Sequence, residues 1–146
     1  MAGSFSASVN DFVSKVEKNL LSVTRSAIQD VINEAQTAVA KGGKMPVDTG
    51  FLRRSGMSHL NSLPFGPSQK ATQTPGAYSS PEEYTSDPNV AVDLANLTLN
   101  DIFYFGWTAE YALMLETRYA FLDSALQNWQ SNVKRRAEEL EKRSAK

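Results

Sequence analysis

A chain of 146 residues, 41% hydrophobic and 10% aromatic, carries enough apolar material for one globular domain with its own core. Fifteen Lys and Arg against 16 Asp and Glu leave a net charge of −1, so no global field directs the chain to nucleic acid or to an anionic membrane. With no cysteine there are no disulfides, no thiol catalysis and no Cys-ligated metal, and with His59 as the single histidine a His-rich metal site is excluded and Ser–His chemistry would rest on that residue alone.

Residues 1–7 are small and polar, with no basic region ahead of an apolar run, so no secretory leader is expected. No apolar run reaches the ~20 residues of a membrane-spanning helix. The cysteine-free composition fits assembly in a reducing cytoplasm. From about Ser8 the pattern turns helical: Phe12, Val16, Leu20, Val23, Ala27, Val31, Ala35 and Val39 recur at steps of three or four, and Val13, Leu21, Ile28 and Ile32 widen the stripe. Ser8 and Asp11 have capping-box spacing, and Gly42-Gly43 offers a stop, which predicts a long helix over 7–41. At 1.5 Å per residue it would be roughly 50 Å long, with ends that overhang a domain of this size onto a neighbour.

The next stretch, Met45-Pro46-Val47-Asp48-Thr49-Gly50-Phe51-Leu52-Arg53-Arg54-Ser55, reads as a tight corner. Pro46 presets its own φ, Gly50 tolerates positive φ, and Asp48 and Thr49 can bond nearby N–H groups or cap a short helix starting near Phe51. Phe51 and Leu52 would then face inward, and Arg53 and Arg54 outward. Met57 to Leu63 is expected to be a strand, with His59 a surface or hydrogen-bonded residue in it. Residues 64–89 hold five of the six prolines and read either as an extended loop that orders on a partner, anchored by Phe65, Tyr78 and Tyr84, or equally as a floppy surface loop. Two strands are expected across 90–108, the first from the alternation of Val90, Val92 and Leu94, the second from Ile102 to Trp107, paired as an antiparallel hairpin with Asn100-Asp101 at its turn. Thr108 can cap a helix broken near Glu116-Thr117-Arg118. A final helix is expected over 119–143, with Leu122, Leu126, Trp129, Val133 and Leu140 as its inner stripe, joined by Phe121 and Ala125, and with favourable pairs of Glu139 with Arg143 and Glu138 with Lys142. Its charged end, including Arg135 and Arg136, is by default solvated, or a lever resting on a neighbouring subunit. The fold class is therefore α+β: long N-terminal and C-terminal helices packed on a small antiparallel sheet, with a long Pro-rich loop.

No Gly-rich phosphate loop, zinc spacing or nucleophile elbow is present, and no cofactor is expected. Asp48-Thr49-Gly50 matches the triplet of retroviral-type aspartic proteases, but it follows a helical stretch instead of an apolar strand and precedes Phe51 instead of a small residue. Lys41, Lys44, Arg53 and Arg54 form a basic cluster that would suit phosphates or an acidic partner, but better suits a helix C-terminus beside a solvated turn.

Two stretches carry a resemblance to a known family. Pro46-Val47-Asp48-Thr49-Gly50-Phe51-Leu52-Arg53-Arg54-Ser55, and later Gly106-Trp107-Thr108-Ala109-Glu110-Tyr111-Ala112 with Leu115-Glu116, resemble the hallmarks of the tail-component, neck or tail-completion proteins of lambda-like long-tailed bacteriophages. The likeness spans about residues 10–130. Where that family has Gly soon after the Glu, Thr117-Arg118 stand here. The resemblance implies a non-enzymatic virion protein, assembled in the host cytoplasm. It would form a homo-oligomeric ring, hexameric on this reading, at the head–tail junction, contacting other neck, connector or tail-tube proteins while DNA passes through without sequence-specific binding. Asp48, Thr49 and Gly50 would shape the corner with Pro46; Arg53, Arg54, Tyr78, Tyr84, Arg135 and Arg136 would be the inter-subunit contacts. A tail-terminator ring is the nearest alternative; the protease and a small cellular adaptor are alternatives of other classes.

Overall fold

The computed structural model describes residues 2–47, 51–63 and 88–144. The corner residues Asp48, Thr49 and Gly50 and nearly all of the Pro-rich stretch, with Tyr78 and Tyr84, lie outside the described residues. The α+β class holds: the molecule is mostly helical with a small two-stranded antiparallel sheet.

Helix α1 runs from Ala2 to Ala35, so it starts earlier and ends earlier than the 7–41 expected. Ser8 and Asp11 sit inside it and do not cap it. It stops where Thr37 competes for the backbone: the Thr37 hydroxyl donates to the Asn33 carbonyl at 2.6 Å, and the Thr37 N–H tightens to Glu34 O at 3.1 Å. The chain then doubles back through a 3₁₀ turn at Val39–Lys41, and Met45 N–H donates to Thr37 O. Gly42, at φ 89°, and Gly43 close this return loop; they do not end the long helix.

The sheet pairs β1 (Gly56–Leu60) with β2 (Phe103–Trp107), register Gly56 to Trp107 through Leu60 to Phe103. The strand expected near Met57 is there, and it, not the 90–99 stretch, pairs with the aromatic run. That stretch is helix α3 (Pro88–Asn96). Pro88 occupies the first helical position, where its missing N–H costs nothing. Val90, Leu94 and Leu97 are buried at helical spacing, whereas Val92 is 57% exposed, so the apparent alternation of apolar residues never shared a face. These three pack with Ile32 of α1 and with Leu60, Phe103 and Phe105 of the sheet. Ser58 of β1 donates to Asp93 of α3 at 2.5 Å. Arg25 of α1 reaches across to the Ala95 and Leu97 carbonyls at 3.0 and 2.9 Å, satisfying acceptors that the end of α3 leaves open. Asp101 takes up the Thr98 N–H and hydroxyl and the Asn61 amide, which builds the turn expected there and holds its carboxyl below the usual range.

The C-terminal region is three helices, not one over 119–143: α4 (Ala112–Tyr119), α5 (Phe121–Leu126) and α6 (Trp129–Ser144). Glu116-Thr117-Arg118 do not break α4. The break is at Ala120, which takes the left-handed conformation, φ 53° and ψ 40°. Glu116 makes that kink work, because its carboxylate accepts the Leu122 and Asp123 N–H groups, 2.8 and 3.0 Å, at the start of α5. A second interruption at Gln127-Asn128 shifts the phase of the stripe. Phe121 and Ala125 become the buried residues, and Leu126 and Trp129, expected inside, are half and one-third exposed.

α6 lies antiparallel to α1: Asn128 donates to Glu34, and further along Arg135 and Arg136 both bind Asp30. Arg136 holds both Asp30 oxygens, 2.8 and 2.6 Å, and Glu139 pairs back onto Arg136 at 3.1 Å. The four charges cancel, and the Arg136 hydrogen bonds, against the penalty of burial, hold the Asp30 carboxyl below the usual carboxylate range. Linkage fixes the sign. A depressed folded-state pKa gives stability that is complete above the unfolded value of about 4 and is lost as pH falls towards the lowered value. Asp30→Asn is expected to lower stability by ~1–2 kcal/mol at pH 7, because Asp30 is mostly buried while Arg135 is half exposed and screened. Urea midpoints of wild type and variant against pH check this; their difference should be constant above pH ~5 and shrink below ~4.

Candidate functional site: where the two motifs meet

The two stretches singled out in the sequence lie some fifty residues apart and come together in one junction. Phe51–Arg54 is a single helical turn, α2, as expected for the end of the corner. Leu52 is buried with Met45, Ala109 and Phe121, and Val47, Trp107, Tyr111, Ala112 and Leu115 pack round them. Ser55 closes α2 by donating its hydroxyl to Leu52 O at 2.7 Å. Its own carbonyl accepts the Thr108 N–H at 3.1 Å and the Thr108 hydroxyl at 3.3 Å. Thr108 therefore ties the second motif to the first; it does not cap a helix, and α4 begins after Tyr111 with no side-chain cap.

Gln36 is the hub of the junction. It is buried at the end of α1, where its side-chain carbonyl accepts the Trp107 indole N–H at 2.9 Å and its amide donates to Arg53 O at 3.1 Å. One side chain thus links the long helix, the corner turn and β2. A Cβ on Gly56 would approach Gln36 Nε2 to 2.7 Å and the Phe105 ring to 2.9 Å, so a larger residue here would have to push the hub amide or that ring aside. Trp107 completes the packing edge-on to both Phe105 and Phe121, with centroids 5.1 and 4.9 Å away. Nothing in the sequence marks Gln36 except that it is a polar residue directly beyond a long apolar stripe.

The residues expected to make contacts fall out differently. Arg54 is exposed, as expected, but Arg53 is 7% exposed and does not face outward. α2 is covered on more than one side, since Leu52, Arg53, Ser55 and Gly56 are all buried, whereas the outward assignment assumed one buried face. The basic cluster accordingly loses Arg53 and keeps the exposed Lys41, Lys44 and Arg54. Arg135 and Arg136 are engaged within the chain by Asp30, and Glu139, expected to pair forward with Arg143, pairs back with them. His59 is exposed and bonded to the Ser62 hydroxyl at 2.8 Å, a surface strand residue as expected. Pro46 is half buried on the way into the corner.

Beside the junction an apolar cleft of about 260 Å³ opens between α1, β2 and α5–α6, walled by Ile28, Val31, Phe103, Trp107, Leu126 and Trp129. Its lining offers packing and no acid–base chemistry. Among the described residues no helix is long and apolar enough to cross a membrane, and no three His, Cys, Asp or Glu side chains are grouped to hold a metal ion. Comparison of the chain with protein-family models, with curated proteins and with solved structures finds no match.

Proposed function

We propose that this protein is a structural component of a tailed-phage particle, a ring-forming neck or tail-completion protein at the head–tail junction. One observation carries the reading. Among the described residues, four polar side chains of the two resembling stretches are spent inside the chain: Ser55 on Leu52, Thr108 on Ser55, Trp107 on Gln36, Glu116 on the start of α5. Side chains committed in this way hold a shape; they are not presented to a substrate. A part whose job is to be a rigid piece of a larger assembly needs that economy. The near-zero net charge suits a conduit that lets DNA pass without gripping its phosphates.

The test is the mass of the purified protein in solution by light scattering, alone and mixed with purified connector and tail-tube proteins of the same phage. A closed oligomer, alone or in the mixture, is the expected result, and its copy number gives the symmetry. A single copy under every one of these conditions would overturn the reading.

A further inference from the structure

α1 carries one apolar stripe in one phase over its whole length. Val23, Ala27, Val31 and Ala35 of that stripe are buried in the chain's own body. Phe5, Val9, Phe12, Val16 and Leu20 continue it at the same steps of three and four and stand in water, Phe5 at 74% and Phe12 at 68% exposure. Ahead of Lys15, Phe5, Val9, Phe12 and Val13 leave on the order of 400 Å² of apolar side chain uncovered, within the range of the largest patch on a monomer and half of the ~800 Å² that each partner gives to a standard interface. The end of α6 lies beside Lys15 and Val16, since Leu140, Glu141 and Ser144 line one groove with them. Ala2–Ser14 therefore projects ~20 Å beyond the body.

The same groove supplies the counterpart. It has a volume of about 510 Å³, and its walls are Val16, Leu20 and Val23 of α1 and Val133, Ala137 and Leu140 of α6. The fold thus leaves two unlike surfaces side by side: a bare apolar helix and an apolar slot between two helices, the natural seat of a third. The projection is also fit to enter such a slot. Asp11 is its only charged residue, and Ala7, Ser6 and Ser8 keep its girth small. The rim of the slot carries one charge of each sign, Lys15 and Glu141, so a single acidic residue can be seated on the Lys15 side.

We propose that the projecting half of α1 of one copy seats in the α1–α6 groove of a second copy of this chain. Donor and acceptor surfaces differ, so the contact is head-to-tail, and each copy that fills a neighbour's groove leaves its own groove open to the next. Repetition closes a ring if the rotation allows, which deepens the ring reading and rests on it for closure.

Two variants placed on the two surfaces test it: Phe12→Asp on the projection and Leu140→Asp in the groove, each checked for wild-type helix content by circular dichroism, with Ala137→Arg as a second groove variant. In light scattering the wild type is expected to have the mass of several copies, and each variant alone the mass of one. An equimolar mixture of Phe12→Asp and Leu140→Asp should stop at two copies, because the intact projection of one fills the intact groove of the other and both remaining ends are blocked. The proposal is overturned by variants that assemble like wild type, by a mixture that stays at one copy or grows past two, or by a wild type that is a single copy on its own. A wild type that assembles only with connector or tail-tube proteins overturns this contact and leaves the neck reading standing. One that stays a single copy even with those partners overturns both.

Discussion

Gly43→Ala is expected to destabilise the protein by at least ~3 kcal/mol, far more than an alanine on a turn ordinarily does. A Cβ at this position would run into the backbone carbonyl of Thr37, with the Thr37 carbonyl carbon and Cβ both at 2.6 Å. That carbonyl cannot move aside, because it accepts the Met45 N–H that brings Met45, fully buried, into the core. Gly42 is the internal control. It has positive φ but open space where its Cβ would go, so Gly42→Ala should cost only the ~1–2 kcal/mol of a left-handed alanine. Urea unfolding of the two variants side by side measures the difference. If Gly43→Ala is no worse than Gly42→Ala, the return loop is not closed as described.

Phe121→Ala should cost ~4 kcal/mol, in the range of buried aromatic truncations. Phe121 is 2% exposed, the largest fully buried side chain among the described residues, and stands edge-on to Trp107. Its removal opens a cavity beneath the junction and withdraws one of the two rings that hold the Trp107 indole towards Gln36. Phe121→Leu, which keeps most of the volume, should cost ~1.5 kcal/mol or less. Denaturant midpoints give the stabilities, and a red shift of tryptophan emission in Phe121→Ala would report the loosened indole. Unchanged midpoints would mean that the two motifs are not held together through this ring.

What could be read in the residues follows the range over which each cause acts. The α+β class, α1 in its middle, β1, the aromatic strand and the turn at α2 all come from local periodicity or turn chemistry. α3 was misread because Val90, Val92 and Leu94 satisfy a two-residue period as easily as a helical one, and only the packing of Leu94 and Leu97 against Ile32 decides between them. The C-terminal interruptions escaped for another reason. Nothing near Ala120 forbids a continuous helix; the kink exists because Glu116, four residues back, can cap the next one. At the junction, the stretches to watch were visible, but Gln36 and the burial of Arg53 depend on contacts 17 to 71 residues away along the chain. The steps of three and four do reach back to Phe5 and Val9. No period tells whether the body stops short of them.

The clamp of Arg136 on Asp30 spans 106 residues of chain. During synthesis α1 emerges ahead of the other described elements, with its stripe complete, and must wait for β2 and α5 to cover Val31 and Ala35 and for α6 to close the clamp. Closing a loop over that distance is an entropic cost met before α6 can dock. For that interval the ribosome holds a long amphipathic helix with nothing to bury it against, the kind of species that chaperones bind and that associates prematurely when crowded.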